Sequence, residues 1–242
     1  MTLSELKEFY PSATEETWHR HNGNGGWVNN SASVPSSIQV PAYAFIGAGA
    51  RVGEWASVGA GASVGAGAIV GAEASVGAGT MIGAGASVGE RDSVGKWAIV
   101  GARARVGAEA IVGEWAIVSA EAMIGAGASV GKRASVGADA SVGADASVGA
   151  EAIFKVSPLY IVGTKHMVCV PSPGRLKIGC RDEPIEWWKL HYKAAGRTEG
   201  YTEEQVTEYA AYIEQASVWL SVLFRVFRLL FTICQFYVSL SN

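Results

Sequence analysis

The chain is poor in the residues that most often carry chemistry. Its 242 residues include four histidines and three cysteines, and none of them lies between Val28 and Phe154. This absence argues against a metal-hydroxide mechanism in the central region, since zinc sites draw on histidine and cysteine ligands. An odd, sparse set of cysteines does not indicate a disulfide framework and favours a reducing compartment.

Two further features are missing. The net charge is −3, so nothing indicates a general attraction to nucleic acid. The N-terminus, MTLSELKEFYPSATEETW, is polar and acidic, and it lacks the basic and apolar stretches of a signal peptide. The sequence therefore predicts a cytoplasmic protein that does not bind nucleic acid.

The dominant positive feature is an internal period of six residues. Stepping by six from Val28 to Val148 meets 21 positions that are all Val or Ile, and Phe154 occupies the next. The residue two places before each aliphatic is nearly always Ala, so small and β-branched residues alternate with an outward residue between them, as in a strand. Such units must stack to bury their aliphatic face, and three units per turn predict about seven turns of 18 residues.

Residues 28–154 resemble the hexapeptide-repeat, or isoleucine-patch, superfamily of left-handed parallel β-helices. The resemblance implies a mainly β fold, and it leaves the function open, because the superfamily includes acyltransferases, γ-class carbonic anhydrases, nucleotidyltransferase appendages and plain scaffolds. The stretches Trp18–Val28 and Ile178–Tyr201 resemble uncharacterised hexapeptide proteins of phages and prophages.

The period suggests four parts. They are an N-terminal cap (1–27), the β-helix (28–154), a strand hairpin plus helix module (155–201) and an apolar C-terminal helix (202–242). Within the module the pattern predicts strands and one helix, at Leu159–Gly163, His166–Val170, Arg175–Cys180 and Glu183–Ala195. Thr202 and Gln205 form a capping box that opens the last helix.

Histidines provide the weak candidates for chemistry. His19 and His21 form an H-x-H pair, which falls short of the three or four ligands of a zinc site and more often belongs to a capping segment. His166, in the predicted turn Gly163–His166, is a weak candidate for a general base, whose reach to a substrate no sequence shows.

Outward residues sort onto three faces of the predicted coil. One face carries most of the apolar side chains, and Trp97 and Trp115, which are 18 residues apart, should stack on adjacent layers. The residues assigned to a trimer interface or a ligand ledge are Phe45, Met81, Trp97, Ile99, Trp115, Ile117 and Ile153. An exposed patch of this kind is unusual on a monomer, and the superfamily resemblance implies a homotrimer.

A second face carries Arg51, Arg103 and Arg105. These cations are candidates for an anion-binding groove between subunits, although such charges more often form a solvated surface.

The C-terminal segment Ala216–Leu240 is strongly apolar, with a narrow polar stripe at helical spacing. Its characteristic residues are Trp219, Phe224, Arg225, Arg228 and Phe231. Three interpretations stay open: a lone transmembrane span, for which two central arginines are costly, a helix at a membrane interface, and a helix buried within an oligomer.

Three functional hypotheses follow. The leading one is a non-enzymatic homotrimeric scaffold or binding protein without a cofactor, for which a phage-encoded origin is left open. The alternative is an acyl-CoA-dependent acyltransferase acting at inter-subunit grooves with a base from the flanks. The third is a protein that binds or sequesters a small molecule. The partners expected are further copies of the chain and an unidentified protein or small molecule.

Overall fold

The computed structural model describes residues 2–22 and 25–240, and for residues 9 and 222–240 it describes the backbone alone. The chain divides into two compact units, Met1–Pro158 and Leu159–Asn242. Each unit has its own sheet structure.

The first unit begins with helix α1 (Leu3–Phe9), whose N-terminus is capped by a capping box between Thr2 and Glu5. Strand β1 (Trp18–Arg20) follows and pairs antiparallel with β2 (Trp27–Asn29). From β2 onward the strands are parallel, and each pairs with the strand 18 residues later.

Three parallel sheets form the body of this unit, and the chain visits each of them once per turn. Sheet A continues from β2 through β3 Phe45–Ile46, β6 Ser63–Val64, β9 Met81–Ile82, β12 Ile99–Val100, β15 Ile117–Val118, β18 Ser135–Val136 and β21 Ile153–Phe154. Sheet B contains β4 Arg51–Val52, β7 Ile69–Val70, β10 Ser87–Val88, β13 Arg105–Val106, β16 Met123–Ile124 and β19 Ser141–Val142. Sheet C contains β5 Ser57–Val58, β8 Ser75–Val76, β11 Ser93–Val94, β14 Ile111–Val112, β17 Ser129–Val130 and β20 Ser147–Val148. The predicted parallel β-helix of about seven turns is confirmed.

Each two-residue strand has one outward and one inward side chain, because successive residues point to opposite faces. The inward residues are the Val and Ile of the six-residue period, and they stack in buried columns with the alanines that precede them. The ladder continues at each strand end, where Gly83 N–H donates to the Val100 carbonyl at 2.7 Å.

The corners of the coil hold side chains in the left-handed backbone region. Trp97 and Trp115 both have φ of 60°, a conformation that costs a residue other than Gly roughly 1–2 kcal/mol. Each corner N–H donates to a carbonyl of the preceding turn, from Trp97 to Ala78 and from Trp115 to Lys96, both at 3.0 Å. These bonds hold the corners in place.

Asp92 is an exception in the inner columns. It occupies a position that most turns give to Ala, and it is 1% exposed. Its carboxylate accepts hydrogen bonds from Gly89 N–H at 2.5 Å and Ala110 N–H at 2.8 Å, whereas the neighbouring Arg91 pairs with Glu73 and Glu109. Burial raises the pKa of Asp92 from 3.8 to about 6, against the opposing effect of the two N–H donors.

We expect Asp92→Ala to stabilise the β-helix at neutral pH. Because the folded pKa lies above the ordinary value, wild-type stability should be undiminished below pH 3.8 and should fall as the pH rises to about 6. Urea unfolding followed across this window should show a decline in the wild type that is smaller in Asp92→Ala. A variant that is less stable than the wild type at neutral pH would show that the two N–H bonds outweigh the burial of the charge.

The second unit is an antiparallel sheet with two helices. Its elements are β22 Tyr160–Val162, β23 Met167–Cys169, β24 Arg175–Ile178, β25 Arg181–Pro184, α2 Ile185–Thr198 and α3 Glu203–Leu240. The predicted capping box at α3 is present, with Thr202 and Gln205 each bonding the backbone N–H of the other. The three predicted strands are confirmed within a few residues.

One strand of this sheet was not predicted from the sequence. The sequence predicts a helix from Glu183, but residues 181–184 instead form β25, which pairs with β24 from Ile178–Arg181 to Arg175–Pro184. Gly179 has φ of 59° and allows the tight turn between the two strands. The charged composition of Arg181–Pro184 hides the strand, because it lacks the apolar alternation that marks one.

The interpretations of the last helix are only partly tested. In the portion of the chain with described side chains, no helix has the length and hydropathy needed to cross a membrane. Trp219 is half-buried, whereas Phe224, Arg225, Arg228 and Phe231 lie outside the residues whose side chains are described. The interfacial and oligomer interpretations stay predictions.

Candidate functional site

The predicted apolar face lies on sheet A. Exposed side chains there include Met81, Trp97, Trp115, Ile117 and Ile153, and Ile99 is half-buried among them. Phe45 was wrongly predicted to be exposed on this face, because it is only 7% exposed and packs in a core cluster with α1 and the first strands. The N-terminal cap therefore covers the first turn of this face.

Trp97 and Trp115 stack as predicted, with ring centroids 5.6 Å apart and planes 17° from parallel. Gly79 leaves room for the stack, because a Cβ at that residue would lie 2.3 Å from the Trp97 ring. Gly79 and Trp115 therefore lie on the two sides of the Trp97 indole. Trp97 and Trp115 are each 53% exposed, and the ligand-ledge interpretation stays a prediction.

Within one chain, the three arginines of the predicted anion groove do not form a single cluster, and the groove between subunits stays a prediction. Arg103 is paired with Glu121 at 2.8 Å, and Arg51 is separated from Arg105 by two strands of sheet B. Arg105 lines a shallow groove of about 470 Å³ with Met123 and Ser141. In the described part of the chain, no carboxylate lies within ion-pair distance of this arginine.

The H-x-H pair of the cap is engaged in hydrogen bonds. His19 donates from Nδ1 to the Asn30 side-chain oxygen at 2.7 Å, and the buried His21 donates from Nε2 to the Ile38 carbonyl at 2.8 Å. The two imidazoles therefore have separate partners, as in a structural cap. Across the described residues, no group of three or more potential metal ligands is found.

A cavity in the second unit is lined by several side chains that can donate, accept or transfer a proton. It has a volume of about 40 Å³ and lies between the ends of β24 and β25, helix α2, the turn that follows it and helix α3. Polar and aromatic groups share its wall, among them His166, Cys180, Arg181, Trp188, Tyr192, Glu199, Tyr201 and Tyr209. Concave sites lined by apolar side chains with a few convergent polar groups are the default candidates for binding and catalysis.

His166 is held by its backbone and free at its ring. The Tyr209 hydroxyl accepts hydrogen bonds from His166 N–H and from Lys165 N–H, and it donates to the His166 carbonyl at 2.5 Å. Among the described residues, neither ring nitrogen of His166 has a hydrogen-bond partner. The imidazole lies beside the Tyr201 ring, with centroids 5.7 Å apart. It therefore lines the cavity while its ring nitrogens stay available to a ligand.

The turn that carries His166 is fastened to both helices. Lys165 Nζ donates to the carbonyls of Glu199 at 2.6 Å and Gly200 at 3.0 Å, just past the end of α2. Thr164 donates from its N–H and hydroxyl to the Glu208 carboxylate on α3, which lowers the pKa of Glu208. These hydrogen bonds join the predicted turn Gly163–His166 to the residues that follow α2 and to α3.

Tyr201 gives the cavity a proton donor. Burial, followed by the proximity of Tyr209 and Glu199, raises the pKa of the Tyr201 phenol. The hydroxyl therefore stays protonated at neutral pH and can donate a hydrogen bond to a ligand oxygen beside the imidazole.

Sequence reasoning placed His166 in a turn but missed its surroundings. Tyr201 and Tyr209 come from the α2–α3 turn and from α3, far along the chain, and nothing in their spacing marks them. Cys180 appeared as the end of a strand, although its position after Gly179 could have indicated a turn.

The decisive observation for the first unit is the unbroken register of the coil. Every turn repeats after 18 residues, and each third of a turn is one six-residue unit with its aliphatic residue inward. The first unit is a parallel β-helix built from six-residue repeats. The second unit, Leu159–Asn242, follows the repeat in the chain.

Comparisons with known proteins give structural similarity at low sequence identity. No protein-family model matches the chain, and no curated protein matches it. Solved structures similar to this chain include a candidate acetyltransferase of Bacillus cereus, with 16% identity, a TM-score of 0.41, and coverage of 81% of this chain and 91% of the other.

Two enzymes are among the other similar structures. The UDP-N-acetylglucosamine acyltransferase of Campylobacter jejuni has 14% identity and a TM-score of 0.33, with 76% of this chain and 82% of that chain covered. A perosamine N-acetyltransferase of Caulobacter crescentus has 25% identity and a TM-score of 0.27, and this chain spans only 52% of its length while 52% of this chain is covered.

Proposed function

We propose that this protein transfers a short acyl group from a thioester to an amine or hydroxyl acceptor, with His166 as the general base. The observation that carries the proposal is the imidazole of His166, which lines the cavity of the second unit with both ring nitrogens unpartnered. The Tyr209 hydroxyl fixes its backbone on both sides. A base held in place while its ring stays available is what proton transfer needs.

The chemistry follows from these groups. The imidazole takes the proton from the acceptor as its nitrogen or oxygen attacks the thioester carbonyl. The Tyr201 hydroxyl donates a hydrogen bond to the carbonyl oxygen as negative charge develops there. The C–S bond then breaks, and the departing thiolate takes the proton from the imidazolium.

The size of the cavity limits the acyl group. A site needs roughly 10–15 Å³ to take one water molecule, so about 40 Å³ offers room for about three water-sized groups. A space of this size favours a short acyl group such as acetyl. The acyl end alone enters the cavity, and the rest of the donor stays outside.

Turnover of acetyl-CoA by the whole chain tests the proposal. The purified protein is mixed with acetyl-CoA and a panel of amines and hydroxyl compounds, release of the CoA thiol is followed, and binding is measured by calorimetry. We expect thiol release that depends on one class of acceptor. Binding without release would identify a sequestering protein. The absence of both binding and release would favour the scaffold hypothesis.

Self-assembly into a homotrimer is a second candidate, and the apolar face on sheet A favours it. Exposed Met81, Trp97, Trp115 and Ile117 form an apolar row across adjacent turns, which is unusual for a monomer. This candidate is compatible with acyl transfer, because it concerns the first unit alone.

Native mass spectrometry of the wild type and of Ile117→Asp tests the assembly. We expect a trimer for the wild type and a smaller species for the variant, because a charge in the row opposes burial of this face. Ser129→Asp, on sheet C, is the control and should keep the wild-type mass. A monomeric wild type would contradict self-assembly.

A further inference from the structure

The cavity of the second unit extends to the C-terminal end of helix α2. Ala195 and Gly196 in the last turn of the helix and its capping residue Glu199 all line the cavity. The aligned peptide dipoles give this end of a helix a partial negative charge, and the Glu199 carboxylate adds a full one. This side of the cavity therefore favours a cation.

The Glu199 carboxylate has no cationic partner in the part of the chain that the structure describes. Arg197, two residues earlier, pairs with Glu203 at 3.8 Å instead. The pKa of the Tyr201 phenol is raised first by burial and then by Tyr209 and Glu199, so the charge of Glu199 acts inside the cavity. Because Glu199 is also exposed, it lies at the mouth.

Tyrosine and tryptophan rings form much of the remaining wall. They belong to Trp188, Tyr192, Tyr201 and Tyr209. Aromatic faces attract ammonium ions within about 6 Å of the ring centroid. Tyr201 already makes such a contact on the outside of the cavity, because Lys165 Nζ lies 4.7 Å from its centroid while donating to the Glu199 carbonyl. The same combination of groups inside the cavity suits a second ammonium.

One cation, Arg181, also lines the cavity. Its guanidinium lies 4.3 Å from the centroid of the Trp187 ring, and its Nε is 3.6 Å from the Glu183 carboxylate. Neither of these partners lines the cavity. The charge of Arg181 is therefore offset outside the cavity, which leaves the Glu199 carboxylate as the charge that a ligand meets.

We propose that the mouth of the cavity binds a primary ammonium group between Glu199 and the tyrosine rings, and that an amine is the acyl acceptor. The acceptor role rests on the proposed function, whereas ammonium binding does not. In the transfer, the ammonium gives one proton to the His166 imidazole and the neutral nitrogen attacks the thioester carbonyl. A C–N bond forms, the C–S bond breaks, the departing thiolate takes a second proton from nitrogen, and the imidazolium releases the first to solvent.

The binding step is tested on the full chain without a donor. Protein labelled at its tyrosine side chains is titrated at constant ionic strength with ethylammonium chloride, with ethanol as the neutral counterpart and with sodium acetate. Shifts of the Tyr201 signals, assigned through Tyr201→Phe, give the dissociation constants. We expect ethylammonium to bind about tenfold more tightly than ethanol, as a largely desolvated cation–π contact implies, and acetate to bind no more tightly than ethanol.

Glu199→Gln tests the carboxylate while keeping the shape of the side chain. We expect it to weaken ethylammonium binding about two- to fivefold and to leave ethanol binding unchanged. Glu186→Gln is the matched control, because Glu186 lies on α2, pairs with Lys189 at 3.0 Å and does not line the cavity. It should bind ethylammonium like the wild type, and circular dichroism confirms that both variants are folded.

The outcomes separate ammonium binding from acyl transfer. Absence of binding, equal binding of ethylammonium and ethanol, tighter binding of acetate, or equal losses in the two variants would overturn the ammonium site. Ethylammonium binding that depends on Glu199, without turnover of acetyl-CoA, would support the site and reject the proposed function. Turnover of acetyl-CoA with hydroxyl acceptors alone would support the transfer and overturn the amine acceptor.

Discussion

Replacement of Ile124 by aspartate is expected to lower the free energy of unfolding of the β-helix by about 4 kcal/mol or more. The same change at the preceding residue, Met123→Asp, is expected to alter it by less than about 1 kcal/mol. The two residues form strand β16, yet Ile124 is 2% exposed in the inner column and Met123 is 48% exposed. The difference follows from the alternation of side chains along a strand.

The reason for the large effect is the lack of free donors around Ile124. Its own carbonyl accepts from Gly107 N–H at 2.8 Å, and Gly125 N–H is engaged by the Val142 carbonyl at 2.8 Å. A carboxylate placed there would meet backbone groups that the ladder already uses. Asp92 is tolerated because two N–H groups turn to its carboxylate, and even there burial raises the pKa to about 6.

Urea unfolding monitored by far-ultraviolet circular dichroism compares the two variants with the wild type at neutral pH. A much earlier transition, or failure to fold, is expected for Ile124→Asp alone. Equal effects of the two substitutions would mean that the inner and outer residues are not assigned as the structure has them.

His166→Ala is expected to reduce acyl transfer by about 10²- to 10⁴-fold, the range attributed to a positioned general base. The fold should survive, because the hydrogen bonds at this residue use its backbone N–H and carbonyl rather than its ring. Thiol release from acetyl-CoA is the measurement, with circular dichroism as the check on folding.

His191 provides a matched control in the same unit. Its ring stacks on Trp187, with centroids 4.6 Å apart, and donates from Nδ1 to the Trp187 carbonyl at 2.8 Å. It does not line the cavity. His191→Ala should therefore retain wild-type turnover, and equal losses in the two variants would remove the specific role given to His166.

The β-helix could be predicted from the sequence because its information is local and repeated. One turn determines the next, so the aliphatic positions from Val28 to Val148 predict the inner columns without long-range knowledge. Phe45 marks the limit of that reasoning, since the period places it outward but α1 and the strands of the cap cover it. Packing between a repeat and its cap is not encoded in the period.

The cavity could not be predicted in the same way. Its wall combines residues from β24, β25, α2, α3 and three turns, and their meeting depends on tertiary packing. Strand β25 was hidden by its charged composition, and without it neither the Gly179–Cys180 turn nor its place beside His166 follows. The sequence identified His166 as a candidate, but the hydroxyl of Tyr209 that positions it is a long-range feature.

If the protein transfers an acyl group as proposed, the thioester end of the donor must enter the cavity of the second unit. Nuclear magnetic resonance of the protein with labelled histidine, tryptophan and methionine side chains tests this directly during titration with acetyl-CoA. We predict shifts at the His166 imidazole and at the indole N–H of Trp188, which lines the cavity and donates to the Leu176 carbonyl. Shifts confined to Met123, in the groove on sheet B, with none at His166 or Trp188, would show that the donor binds outside the cavity and would reject the proposed function.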